Sequence, residues 1–102
     1  AFFYRQADEE HMHAVKFVHY VTEAGGHVRI PAVDAPQNTF GGAEEAVQLS
    51  LEWETEVTRQ INNLMRVAME ESDYIAQDFL RWFVTEQLEE ISTMSTLLRT
   101  IQ

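Results

Sequence analysis

The residues best suited to chemistry are glutamates that occupy positions where a helix should place core residues. In the segment 74–101, apolar positions repeat every three or four residues, and Glu86 and Glu90 interrupt that series. Glu10 and Glu54 interrupt two other apolar series in the same way. A lone buried carboxylate is destabilising by several kcal/mol unless it is paired, protonated or bound to a metal. We therefore expect these glutamates to share a counter-charge.

A histidine strengthens the case for a metal. His13 follows Glu10 by three positions, and residues three apart are neighbours on a helix surface. Oxygen ligands with one imidazole suit iron or manganese and, less selectively, zinc. Glu-x-x-His is also half of the motif of carboxylate-bridged dimetal bundles. No lysine or arginine falls on the apolar series, so metal is the favoured counter-charge. The alternative is a polar layer that only sets the register of a bundle.

The predicted fold class is all-α, with three long helices that position these side chains. Apolar periodicity predicts helices over 2–24, 43–71 and 74–101. The Gly25-Gly26 pair should end the first helix, and Ser72 or Asp73 should be the N-cap of the third. The expected apolar faces are Phe3, Ala7, Ala14, Phe17 and Val21; then Val47, Leu51, Val57, Ile61, Leu64 and Ala68; then Ile75, Phe79, Phe83, Leu97 and Ile101.

The connections between the helices predict how they run. Residues 27–42 contain two prolines and a glycine pair, which exclude a long helix. At roughly 3.3 Å per residue this segment can reach about 50 Å, whereas a helix of about 28 residues is roughly 42 Å long. We expect it to cross over a whole bundle and leave its flanking helices parallel. The short break near Ser72 predicts antiparallel neighbours instead.

Counting along the helices predicts one level for three carboxylates. Glu54 lies 18 residues before Ser72, and Glu90 lies 18 residues after it. In an antiparallel pair both stand about 27 Å from the turn. Glu10 lies 15 residues before Gly25, which brings it within about one turn of that level if its helix is parallel to the second.

Composition limits the class of protein. The chain has 102 residues, a net charge of -10 and no cysteine. One domain over 1–102 is expected, without disulfides or thiolate metal sites. The acidic balance disfavours nucleic-acid and anionic-membrane partners, no apolar run reaches a membrane span, and a cytoplasmic location is the default expectation. The chain begins with Ala1 inside a helical pattern, so we expect an N-terminally incomplete domain.

Several motifs resemble prokaryotic non-haem ferritins, and the resemblance covers essentially the whole chain. They are Glu9-Glu10-His11-Met12-His13, Gly25-Gly26, Arg29-Ile30-Pro31-Ala32, Leu51-Glu52-Trp53-Glu54, and the run from Phe79 to Glu90. The resemblance implies a four-helix bundle that here lacks the first helix and part of the second. It also implies a homo-oligomeric cage of 24 subunits that oxidises ferrous iron with oxygen at a di-iron centre and stores ferric mineral.

The resemblance assigns roles to residues of the di-iron centre. It makes Glu10 a bridging ligand and His13 a ligand on the same helix, with Glu54 binding the second iron. Gln87 corresponds to a polar residue near the dioxygen side, and Glu90 to a carboxylate shared with a neighbouring third iron site. The expected catalytic residues are Glu10, His13, Glu54 and Gln87.

The same resemblance suggests a third iron site beside the di-iron centre. Glu9, Glu86 and Glu89 would complete it together with Glu90. Glu9 and Glu89 lie nearer the polar edges of their helices, so solvated surface is the alternative for both.

Haem is not expected. A related haem-containing family has a second Glu-x-x-His, where this chain has Gln87-Leu88-Glu89-Glu90, and a haem-ligating methionine, where this chain has His11. Two other functions remain open. One is a truncated or structural subunit that binds metal and assembles but is poorly catalytic. The other is a dimetal oxidase or a peroxide-detoxifying protein that stores no mineral, which the preference for oxygen or peroxide as oxidant would distinguish.

Overall fold

The structure, a computed structural model, describes residues 1–102 and contains three α-helices. They are α1 (Phe2–Glu23), α2 (Ala43–Glu70) and α3 (Tyr74–Ile101). The all-α prediction is confirmed, and each predicted boundary lies within one residue of the observed one. None of the three helices combines the length and the apolarity needed to cross a bilayer.

The chain forms two compact units, residues 1–36 and residues 37–102. The first contains α1, which ends at the predicted glycine pair. Gly25 has φ +84°, and the Gly26 N–H donates to the Val21 carbonyl over 2.8 Å. This 6→1 bond and the left-handed glycine define a Schellman end. α1 has no fully buried residue, and Phe3, Ala7 and Ala14 of its predicted apolar face are exposed.

The second unit contains α2 and α3, which run antiparallel as predicted. The Gln77 amide, near the start of α3, donates to the Ala68 carbonyl, near the end of α2, over 3.3 Å. Gln87, later in α3, contacts Thr58, earlier in α2. The two helices therefore run in opposite directions. Of the two candidate N-caps, Asp73 is the one observed: its Oδ1 accepts a 3.0 Å bond from the Ala76 N–H. That bond satisfies one of the free N–H groups at the start of α3.

The apolar core of the second unit lies between these two helices. Its fully buried members are Val47, Ile61, Ala68, Leu80, Phe83, Met94 and Leu98. The predicted face of α2 is largely confirmed, although Leu64 is exposed.

The predicted face of α3 was right only in part. Phe83 is buried as predicted, but Ile75 is 76% exposed, and Leu80 and Leu98 are more deeply buried than Phe79 and Leu97, which the periodicity favoured. Successive helix residues lie about 100° apart, so adjacent apolar residues at 79–80 and 97–98 let the pattern fit more than one rotation. Packing against α2 selects the later residue of each pair.

Candidate metal centre

Two carboxylates meet between α2 and α3. Oxygen atoms of Glu54 and Glu90 lie within 4.8 Å of each other. Glu54 is half-buried, and Glu90 is only 6% exposed. Their equal separation from the turn is consistent with this shared level. At this distance two charged carboxylates repel each other, and the repulsion grows as water is excluded.

Gln87 lies three residues before Glu90 on α3, contacts Glu54 across the interface with α2, and is 2% exposed. Its Nε2 is 3.1 Å from Glu54 Oε2, 3.2 Å from the Glu54 carbonyl oxygen and 3.1 Å from Thr58 Oγ1. All three neighbours can accept a hydrogen bond, so the amide presents its NH₂ group to Glu54. Gln87 is therefore a neutral donor that orients one of the two carboxylates.

The arginines of the second unit lie on its surface and contact other groups. Their partners are Glu56 for Arg59 (2.6 Å), Glu70 for Arg66 (2.7 Å), Asp78 for Arg81 (3.5 Å) and Thr96 for Arg99 (3.4 Å). The hydrogen bond from Arg59 also lowers the pKa of Glu56. No guanidinium of this unit thus neutralises the Glu54–Glu90 pair. A set of carboxylate oxygens suits a hard or borderline divalent cation.

The remaining predicted ligands of the di-iron centre belong to the first unit. His13 Nδ1 lies 3.7 Å from Glu10 Oε2, so the two groups share one face of α1. The His13 side chain is 13% exposed, whereas Glu10 is much more accessible. The first unit thus presents one carboxylate and one imidazole side by side, and both are side chains that can coordinate iron.

The three additional residues of the predicted third site differ in exposure. Glu86 is half-buried, about one turn before Glu90, whereas Glu9 and Glu89 are exposed. Exposure leaves both of these glutamates hydrated, as the alternative interpretation supposed. The third site stays a prediction.

Thr58 also belongs to this site, although it was not among the residues predicted from the sequence. Its hydroxyl donates to the Glu54 carbonyl over 2.8 Å and accepts from Gln87 Nε2. The available signal was its position four residues after Glu54, which puts both on one face of α2. A threonine in a helix commonly bonds its own backbone in this way, and so the pattern alone did not single it out.

Comparison with known proteins agrees with this fold. The Ferritin family model, a ferritin-like domain, matches residues 1–102. Ferritin BfrB of Mycobacterium tuberculosis is 41% identical over 97 residues, covering 95% of this chain and 54% of that protein. Bacterial non-heme ferritin of Staphylococcus aureus is 41% identical over 95 residues, covering 93% of this chain and 57% of its own length.

A solved structure shows the same likeness in three dimensions. An open pore ferritin from the hyperthermophilic archaeon Archaeoglobus fulgidus has a TM-score of 0.90 and 35% identity, covering 92% of this chain and 58% of that one. The fold is therefore an all-α, ferritin-like one. The chain belongs to the ferritin family, as its motifs indicated. It spans about half the length of the curated relatives it matches.

Proposed function

We propose that this chain is part of an iron-storage ferritin subunit that oxidises Fe(II) at a di-iron centre. The observation that carries the proposal is the carboxylate pair Glu54–Glu90, whose oxygens lie within 4.8 Å of each other, with the buried Gln87 amide donating to Glu54. Such a pair is destabilising in the absence of a cation and becomes a binding site in its presence. Family membership over residues 1–102 supports iron as that cation.

The family resemblance supports Glu10 and His13 as ligands of the di-iron centre in addition to Glu54 and Glu90, with Glu10 in the bridging role. The carboxylate of Glu10 and the imidazole of His13, 3.7 Å apart, suit that assignment. Gln87 would stay a hydrogen-bond donor and not a ligand, because its NH₂ group already faces Glu54. A third iron site, on the way to a storage cavity, would use Glu90 together with Glu86, Glu9 and Glu89.

The reaction removes one electron from each of two Fe(II) ions. One O₂ takes both electrons with two protons and becomes H₂O₂, and the Fe(III) product then hydrolyses to mineral. The residues bind and orient the ions and leave open positions for the oxidant. We further propose a homo-oligomeric cage of 24 subunits in the cytoplasm, working without haem. The name of the Staphylococcus aureus relative, non-heme ferritin, supports the last point.

The test is anaerobic loading with Fe(II) followed by addition of O₂, with Fe(III) absorbance and O₂ uptake recorded in the assembled protein. Glu54→Gln should slow the initial oxidation by about 10- to 100-fold, the range expected when a metal site is impaired. Glu52→Gln is the matched control, since Glu52 is exposed on the same helix and accepts a 3.4 Å hydrogen bond from the Gln48 amide.

Equal and slow oxidation by the wild type, Glu54→Gln and Glu52→Gln would contradict catalysis at this site. If the protein still assembled and bound iron, the structural-subunit alternative would replace the proposal. A faster reaction with H₂O₂ than with O₂ would favour the peroxide-consuming alternative.

A further inference from the structure

We propose that Thr58 is a positioning residue of the metal centre: its hydroxyl holds the Gln87 amide with NH₂ toward Glu54, which leaves one carboxylate oxygen of Glu54 for metal. The inference rests on the proposed function, since it concerns how that site prepares one of its ligands. Thr58 lies outside the ferritin motifs of this chain.

The hydroxyl of Thr58 donates one hydrogen bond and accepts another. Thr58 Oγ1 lies 2.8 Å from the Glu54 carbonyl, which can only accept, so the single hydroxyl hydrogen points there. The oxygen of Thr58 then faces Gln87 with lone pairs and accepts from Nε2 over 3.1 Å. A Gln87 amide turned by 180° would bring its carbonyl oxygen against that oxygen and against the Glu54 carbonyl oxygen, which lies 3.2 Å from Nε2. Thr58 therefore reinforces the amide orientation that Glu54 also favours, and it fixes the position of Nε2 from a third direction.

The selected orientation decides what Glu54 can do. Gln87 Nε2 donates to Glu54 Oε2 over 3.1 Å, which occupies lone-pair density of that oxygen. The other oxygen, Oε1, is then the better electron donor for a cation. Groups that bond to a ligand orient it and tune its metal affinity. Glu54 should accordingly bind through one oxygen when Thr58 is present, and through either oxygen or both when the amide is held by Glu54 alone and can shift.

The chain supplies a matched control on the same helix. Thr55 Oγ1 donates to the Leu51 carbonyl over 2.8 Å, the same intrahelical bond that Thr58 makes to Glu54. Thr55 is exposed. Thr55→Val and Thr58→Val thus remove equivalent backbone bonds, and only the second removes the acceptor for Gln87.

The test is a Co(II) titration of the metal-free assembled protein, followed by its visible absorption bands, which report the number of coordinating atoms. Glu54→Gln should abolish Co(II) binding at one position. Thr58→Val should lower the Co(II) affinity of that position by about 10-fold and change the intensities of its absorption bands. Thr58→Ser, which keeps the hydroxyl, should stay within about 3-fold of the wild type, and Thr55→Val should match the wild type.

A crystal structure of metal-free Thr58→Val gives a readout without metal. We expect Gln87 Nε2 to shift away from Glu54 Oε2, and an unchanged 3.1 Å contact would overturn the proposal. So would equal affinities for Thr58→Val and Thr55→Val, or failure of Thr58→Ser to restore binding, which would indicate packing alone. Wild-type protein without Glu54-dependent Co(II) binding would overturn the proposed function, and the role of Thr58 with it.

Discussion

Gln87 and Glu90 are the polar side chains that the fold buries most completely. Buried polar groups are stabilising only when their hydrogen bonds are made. Every buried side-chain nitrogen or oxygen of this chain has a partner, and around Gln87 those partners are Glu54 and Thr58. The same network that orients the Glu54 carboxylate therefore also joins α2 to α3.

Replacing the amide by an apolar group of similar size tests that link. Gln87→Leu should lower the free energy of unfolding of the metal-free protein by about 1–3 kcal/mol, because Glu54 and Thr58 lose a buried donor. Urea denaturation measures the difference. Gln60→Leu is the control, since Gln60 is exposed and bonds Glu56 over 3.3 Å. Its effect should stay within about 0.5 kcal/mol, and equal effects of the two variants would contradict a stabilising network.

Neutralising one carboxylate should raise the stability of the metal-free protein and weaken its metal binding. With oxygens within 4.8 Å, two unit charges at an effective dielectric constant of about 20 repel by roughly 3 kcal/mol. Glu54→Gln removes this repulsion and keeps an oxygen that can accept from Gln87. Thermal unfolding at pH 7 should show a higher midpoint for metal-free Glu54→Gln than for the wild type, and a smaller increase on adding Co(II). A lower midpoint in the metal-free variant would contradict the repulsion.

At the scale of elements, two helices end in the same way with different residues. α1 ends with Gly25 at φ +84°, and α2 ends with Ser72 at φ +53°. Both ends have the 6→1 hydrogen bond of a Schellman motif. The Gly26 N–H donates to the Val21 carbonyl over 2.8 Å at the first, and the Asp73 N–H donates to the Ala68 carbonyl over 2.9 Å at the second. A left-handed backbone is unfavourable for a residue with Cβ. The turn that sets α2 against α3 is therefore slightly strained.

Relieving that strain should stabilise the second unit. Ser72→Gly should raise the free energy of unfolding by up to about 1 kcal/mol, since the gain at positive φ outweighs the greater freedom of glycine in the unfolded chain. Gly25→Ser makes the opposite change in the equivalent position of α1 and should destabilise. Calorimetric midpoints compare the two. A lower midpoint for Ser72→Gly would show that the serine side chain contributes more than its backbone strain removes.

At the scale of the whole molecule, a strongly acidic chain exposes large apolar side chains. The net charge is -10, and Val33 in the connection between α1 and α2 is 86% exposed, with Ile30 similarly exposed. Monomeric proteins seldom leave extensive apolar surface in water. We expect these residues to be covered when the subunits assemble, while the negative charge attracts Fe(II).

Placing a charge at an exposed apolar position tests assembly directly. Val33→Lys should shift the protein toward smaller species in light scattering after size exclusion, because burying an unpaired ammonium group at an interface is costly. Asn38→Lys adds the same charge to the same exposed segment at a polar position and should assemble like the wild type. Identical masses for both variants would exclude Val33 from the interface.

Local chemistry determined most of the fold from the sequence alone. Gly25-Gly26, the two prolines and the Asp73 cap act within a few residues, so the helix boundaries could be predicted to within one residue. The constant rise of an α-helix also permitted the prediction that Glu54 and Glu90 share a level. The ferritin motifs indicated the family in the same way, because they are contiguous in sequence.

Tertiary packing decided the rotation of α3 and the network around Gln87. Adjacent apolar residues such as Phe79 and Leu80 satisfy the same periodicity, and only contact with α2 shows which one is buried. Thr58 is one of several threonines with an intrahelical bond, and its role depends on an amide 29 residues away. Such choices depend on the shape of the facing helix, which no local pattern contains, because side chains compete for the same space only after the helices meet.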